Sequence, residues 1–233
     1  MHEFAVILPA AGNSSRFRGF EQKKPFVDLA GEPVWRRTVR AFGKRQDVTQ
    51  ILLILADSDR TEFIERFGEH LGGVEVVGGG PSRAESVVNG LRALRESVEF
   101  VAVHDAARPL ITKRVIDSVF AAAVATGAAI PGVPITSTVK RIDEEGQVDA
   151  TIDRLHLMLA QTPQTFARQV LLDAYTLARQ DLLDYTDEAS LIEATGHPVT
   201  VTKGSWDNIK ITTEDDFHMA ETILARRLAS SCD

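Results

Sequence analysis

The chain has 233 residues, enough to bury about 70% of the surface its unfolded form exposes, so folding needs neither disulfides nor a structural metal. At 44% hydrophobic and 25% charged residues it lies outside the disordered, collagenous and disulfide-scaffold classes. The single cysteine, Cys232, cannot bridge internally or build a zinc site, which points to a reducing compartment. The net charge of -7 disfavours nucleic acid as a partner, yet a local pocket of arginines and lysines could still receive a phosphorylated small molecule.

The opening residues MHEFAVILPAAG carry no basic n-region and too short an apolar run for a signal-peptide core, and no apolar stretch reaches the ~20 residues of a membrane span. A cytoplasmic protein without membrane contact is expected. Short β-branched runs then alternate with helical patterns, the signature of parallel strands joined by helical crossovers. The runs predict strands at Phe4–Leu8, Ile51–Leu55, Val74–Val77, Phe100–His104 and Ala128–Val133. The first two are almost unbroken apolar, as strands covered on both faces should be.

Between them Val34, Thr38, Val39 and Phe42 recur at helical spacing. Ser82-Arg-Ala-Glu85 is a capping box that opens a helix directly after Gly78-Gly-Gly-Pro81. Further helices are predicted at Arg114–Ala125, Ala167–Arg179, Glu188–Thr195 and from Thr213 to about Leu228. One segment breaks the alternation: residues 138–154, TVKRIDEEGQVDATIDR, leave no room for a crossover helix and predict a hairpin turning at Glu144–Gln147. Its apolar face of Val148, Ala150 and Ile152 is either an edge ribbon exposed to solvent or a surface covered by a second chain.

Three motifs can carry chemistry. Leu8-Pro-Ala-Ala-Gly-Asn-Ser-Ser-Arg16, with Lys24 eight residues on, sits at the end of the first strand, where α/β sheets bind ligands and small residues let backbone N–H groups approach phosphate. It has neither the GxGxxG of a dinucleotide fingerprint nor the GK[ST] of a P-loop, which argues against a dehydrogenase or a P-loop NTPase. His104-Asp-Ala-Ala-Arg-Pro109 places a carboxylate and a guanidinium at the end of another buried strand, suited to a hydroxyl or cation beside a phosphate, or to a plain salt bridge. His104 points to the face opposite Asp105 and reads as a structural histidine. In Ser205-Trp-Asp-Asn-Ile-Lys-Ile-Thr-Thr213, Lys210 is predicted on a short strand between isoleucines, either snorkelling to solvent or offering a point charge to phosphate.

In sequence order, LPAAGNSSRF, KKPF, GG followed by SRAES, HDAARP, TVKR, DR, QTPQTF, DEAS and DNIKIT resemble the 2-C-methyl-D-erythritol 4-phosphate cytidylyltransferase family, over about Phe4 to Leu228. The resemblance implies a Rossmann-like, GT-A-like α/β nucleotidyltransferase fold: a mostly parallel twisted sheet with helices on both faces, one domain over residues 1–233 and a dimerisation arm at 137–156. It implies CTP and a polyol phosphate as substrates, and Mg2+ mainly on the CTP phosphates, with Asp105 as its one candidate protein ligand. Arg16 and Lys24 match loop cations at the α-phosphate of CTP. Ala10, Ala11, Gly12, Gly80 and Ser86 match the cytosine and ribose contacts. Asp105 matches the carboxylate near ribose and methylerythritol hydroxyls, and Arg108 and Lys210 match pocket cations. Thr138, Arg154 and Thr162 match residues that meet methylerythritol phosphate, those of the arm from a partner subunit of a homodimer.

Two departures stand out: Pro25-Phe26 follows Lys24, and Pro81 occupies a position that is usually acidic in the family. Ribitol 5-phosphate cytidylyltransferases share much of the motif set, but the AAG loop and the alanine before Arg108 favour methylerythritol phosphate. A noncatalytic nucleotide-binding module would not need Arg16, Lys24, Arg154 and Lys210 together.

Overall fold

The computed structural model describes residues 1–11, 26–178, 182 and 185–229, so the sequence expectations for Gly12, Arg16, Lys24, Pro25 and Cys232 fall outside the described residues. Apolar alternation along three central strands divides the interior into two layers. In β1 (Phe4–Pro9), Phe4, Val6 and Leu8 face one layer, while Ala5 and Ile7 face the other. The same division holds in β4 (Val48–Leu55) and β6 (Phe100–Val103). Helices α1 (Val34–Gly43), α2 (Asp57–Phe67) and α4 (Lys113–Thr126) cover the first layer. Helices α3 (Arg83–Arg92), α5 (Arg168–Leu177) and α6 (Glu188–Ala194) cover the second. Burial on both faces makes these strands apolar throughout.

The short ribbon β2 (Asp28–Leu29) and β3 (Glu32–Pro33) leads into α1. β5 (Val74–Gly78) pairs parallel with β4, which pairs parallel with β1, which pairs parallel with β6. Beyond β6 the sheet turns mixed: β11 (Gln164–Ala167) runs antiparallel to both β6 and β7 (Ala128–Pro134). β10 (Met158–Ala160) is antiparallel to β7, and β12 (Thr200–Lys203) parallel to it. The fold class is therefore the expected one, with an antiparallel insertion that the alternating pattern did not announce.

The expected hairpin exists as a separate two-stranded sheet of β8 (Val139–Ile142) and β9 (Val148–Ile152). Gly146 at φ 83 closes its turn, a conformation that glycine adopts without a Cβ clash. Ile142 and Val148 are partners across the ribbon and are 59% and 61% exposed, so this end of its apolar face is uncovered. A last helix, α7 (Glu214–Ala229), packs Phe217, Ala220, Ile223 and Leu224 onto Val27, Leu29, Leu110 and Ile211 in a third cluster. That cluster carries the DNIKIT segment against the sheet edge.

Candidate functional site

The carboxyl ends of β1, β4, β5 and β6 converge, and the two motif loops lie there. Ala10 continues β1 by donating its N–H to the Ile54 carbonyl at 2.8 Å, and Gly79 does the same to Leu55 at 2.7 Å. A Cβ on Gly79 would stand 2.7 Å from the Ala11 Cβ, so the AAG and GGG loops touch only because residue 79 has no side chain. The capping box forms as predicted, with Ser82 as N-cap of α3 and Glu85 reaching back to it. Ser86 is buried; its hydroxyl accepts from the Gly80 N–H at 3.1 Å and donates to the Ser82 carbonyl at 2.9 Å. Its side chain therefore shapes the glycine turn. Pro81 lies exposed between Gly80 and the cap.

The HDAAR turn after β6 has each of four carbonyls engaged. Asp105 O accepts from Arg108 N–H at 3.0 Å, and Ala107 O from Ile211 N–H at 2.9 Å. Ala106 O accepts from the Thr38 hydroxyl of α1 at 2.9 Å, and Arg108 O lies 3.2 Å from His104 Nε2. A turn so tethered holds its side chains still. Asp105 Oδ2 receives Lys210 Nζ and Arg108 Nε, each at 3.1 Å, while Arg83 Nε stands 4.0 Å from Oδ1. Burial pushes this carboxyl up, but Lys210, Arg108 and Arg83 together hold it well below the usual carboxylate range. Arg108 also donates from Nη1 to the Asn208 carbonyl at 2.7 Å.

Arg83 is a site residue the sequence reasoning did not single out. It opens α3 and makes a two-pronged pair with Glu188 at 2.7 and 2.9 Å. Tyr175 adds its hydroxyl to the same carboxylate at 3.1 Å. Burial works against the charged guanidinium, but Glu188 more than offsets this and raises the Arg83 pKa. The partners lie 105 residues apart, and the chain carries no local pattern that joins them. Asn208 was also missed: fully buried, it donates to the Thr162 carbonyl at 2.9 Å and so ties the DNIK segment to the connection between β10 and β11.

One expectation needs correction. Lys210 is not on a strand; residues 208–212 are irregular, held by the Ile211–Ala107 hydrogen bond and by burial of Ile211. Thr162 is 5% exposed, and its hydroxyl is engaged by His104 and the Asp105 N–H, beside the Asp105 turn. The Asp105 carboxylate already faces Lys210 and Arg108, and among the described residues no group of three or more His, Cys, Asp or Glu could hold a metal ion. His104 is the structural histidine expected: buried, edge-on to Phe42 at 5.1 Å, with burial depressing its pKa to about 4.

Ala10, Ala11, Gly80, Ser86, Asp105, Arg108 and Lys210 are thus brought to one edge, with Arg83 bridging the glycine turn and Asp105. Thr138 and Arg154 are not. Both are exposed on the arm, and Arg154 donates to the carbonyls of Ile135 and Thr136 at its root.

Known proteins agree with this geometry. A sequence model described as 2-C-methyl-D-erythritol 4-phosphate cytidylyltransferase (IspD) matches residues 4–226. A protein of that name from Pelotomaculum thermopropionicum is 40% identical over 230 residues, 97% of this chain and 96% of its own. Another from Solibacter usitatus is 42% identical over 239 residues, covering 97% and 98%. Among solved structures, the 4-diphosphocytidyl-2C-methyl-D-erythritol synthase of Anaerococcus prevotii superposes with a TM-score of 0.83 at 27% identity, covering 96% of each chain. The Thermus thermophilus cytidylyltransferase gives 0.79 at 29% identity, covering 97% of this chain and 100% of that one. The chain therefore belongs to the 2-C-methyl-D-erythritol 4-phosphate cytidylyltransferase family.

Proposed function

We propose that the protein transfers CMP from CTP to 2-C-methyl-D-erythritol 4-phosphate, giving 4-diphosphocytidyl-2-C-methyl-D-erythritol and pyrophosphate for isoprenoid precursor synthesis. The observation that carries the proposal is the Arg83–Asp105–Arg108–Lys210 cluster set against the AAG and GGG loops at the strand ends. A phosphate oxygen of the acceptor attacks the α-phosphorus in line and pyrophosphate departs. The acceptor's second pKa is about 6, so it is already largely dianionic at neutral pH and needs no general base. This suits a site whose histidine is buried and neutral.

Positioning and electrostatics then supply the rate. Lys210 is half-exposed, so its ammonium can turn from Asp105 toward an incoming phosphate, while Arg108 stays clamped to Asn208. Arg16 and Lys24 are assigned to the α-phosphate, and Gly12 to the nucleoside with Ala10, Ala11 and Gly80. Mg2+ belongs to the proposal through the oxygens of the triphosphate, where a divalent cation neutralises charge.

The reading extends to a homodimer in which the arm brings Thr138 and Arg154 to the partner's acceptor site. It is supported by the uncovered Ile142–Val148 pair and by the exposure of Thr138 and Arg154 on the arm. No helix among the described residues is long and apolar enough to cross a membrane, in keeping with a cytoplasmic enzyme. The test is pyrophosphate release from CTP and Mg2+, with methylerythritol phosphate and ribitol 5-phosphate offered in parallel. Release with methylerythritol phosphate is expected; release with neither acceptor would sink the assignment, and preference for ribitol phosphate would reassign the substrate.

A further inference from the structure

The Arg83 guanidinium is held from behind. Nη1 and Nη2 meet the two oxygens of Glu188 at 2.7 and 2.9 Å, so guanidinium and carboxylate lie end to end and the plane of the fork is fixed. The N–H on Nε then has one direction open to it. It faces Asp105 Oδ1 at 4.0 Å, beyond hydrogen-bond reach. Among the described residues neither atom has another hydrogen-bond partner, because Lys210 and Arg108 both take Oδ2. One oxygen standing ~2.8 Å from each would accept from Nε and donate to Oδ1. A hydroxyl does both; a carbonyl cannot donate and an ammonium cannot accept.

This seat lies between the Ser82 cap and the Asp105 turn, on the edge assigned above to the nucleoside. Tyr175 of α5 donates its hydroxyl to Glu188 Oε1 at 3.1 Å, the oxygen that also receives Arg83 Nη1. Burial and the neighbouring carboxylate push the phenol up, so it stays a donor. Glu188 itself comes from the first turn of α6, which Asp187 caps by accepting from Ser190 N–H at 2.9 Å. We propose that Glu188 and Tyr175 are positioning residues for nucleotide binding: they hold the Arg83 fork so that its Nε–H and Asp105 Oδ1 take one ribose hydroxyl of CTP between them. Glu188 is 1% exposed and Tyr175 8%, whereas the Arg83 side chain is one-third exposed, so Arg83 meets the ligand and the two behind it do not. Without the Glu188 charge the nearest anion is Asp105, and the fork would close onto it and abolish the seat.

The inference rests on the cytidylyl-transfer reading and is tested so that the two can fail separately. CTP affinity is measured by calorimetry with Mg2+ in the wild type, Glu188→Gln, Arg83→Met and the double variant, each with its melting temperature. Each single variant should bind CTP about tenfold more weakly, the size of one lost charge-assisted hydrogen bond. The double variant should bind no more weakly than Arg83→Met, although its melting temperature recovers. Additive losses would overturn the proposal, because Glu188 would then reach CTP by a route other than Arg83. A lowered melting temperature with unchanged CTP affinity would overturn it too, since a purely structural pair predicts that. Should Glu188→Gln not fold, Tyr175→Phe replaces it in the cycle, with a loss of about threefold that must vanish in the Arg83→Met background. 2′-Deoxy-CTP and 3′-deoxy-CTP identify the hydroxyl: one of them should bind the wild type about tenfold more weakly than CTP and lose nothing further in Arg83→Met. Further loss with both would show that Arg83 holds no sugar hydroxyl. A wild type that gives the expected cycle yet transfers to neither acceptor refutes the enzymatic reading alone, one that transfers CMP with additive losses refutes this inference alone, and one that binds no CTP refutes both.

Discussion

Replacing Arg83 with methionine removes both prongs of its pair with Glu188 and keeps the length of the side chain. Glu188 is 1% exposed and would retain the Tyr175 hydroxyl at 3.1 Å in place of a full positive charge. Removing one partner of a buried ion pair costs about 3–5 kcal/mol. Arg83 is itself one-third exposed, so some water can reach the gap and the loss should be nearer ~3 kcal/mol.

For a chain of this size that amounts to a fall in melting temperature of ~6–12 °C. Urea denaturation at pH 7 reads the effect, and the double variant Arg83→Met/Glu188→Gln should recover most of the loss. A penalty below ~1 kcal/mol would show that the pair is solvated and that its burial has been misjudged.

Gly79→Ala should cost ~1–3 kcal/mol and raise the KM for CTP, because its Cβ would stand 2.7 Å from Ala11 Cβ and 3.2 Å from Leu55 O. Gly43→Ala, whose Cβ meets only Ile51 Cδ1 at 3.8 Å, is the control and should be neutral or slightly stabilising; equal effects would discount the loop contact. His104 has a folded pKa of about 4 against 6.5 when unfolded, so unfolding free energy should be full above pH 6.5 and fall by up to ~3 kcal/mol toward pH 4. Asp105, depressed by its cations, adds to the loss at still lower pH. His104→Asn should flatten the upper part of that curve, and a wild-type curve already flat would contradict a buried neutral ring. Lys24→Ala should lower kcat about a hundredfold with little change in CTP affinity, and Arg154→Ala should raise the acceptor KM. Mixing the two variants at low acceptor concentration should give more activity than either alone if the arm serves the partner's site, and no recovery would place Arg154 outside catalysis in trans.

The doubly covered strands β1, β4 and β6 were legible because an unbroken apolar run has few other uses, and α3 because its capping box is a local signal. Helix α2 was not, since Asp57–Phe67 buries only Asp59 and Phe63 and shows no apolar stripe. Strand β10 is short and exposed, β11 buries Gln164 and Thr165, and β12 turns its threonines inward and Val201 outward, so none shows the apolar-in, polar-out alternation of a half-buried strand. At the site, Asp105, Arg108 and Lys210 were found because each sits in a compact motif. Arg83 with Glu188, and His104 with Thr162, were not, because each pairing joins residues that only the folded sheet brings together.

The tethers on the HDAAR turn span long stretches of chain, 57 residues from Asp105 to Thr162 and 100 from Arg108 to Asn208. During synthesis the first half of the protein can lay down β1, β4, β5 and β6 well before these anchors leave the ribosome. Asp105 would then emerge with its carboxylate unguided, and nucleotide affinity should arise only after α7 docks. Catalytic competence in this fold is therefore a late event of maturation, and a ribosome-stalled chain ending before Asn208 should hold a native-like sheet and an inert site.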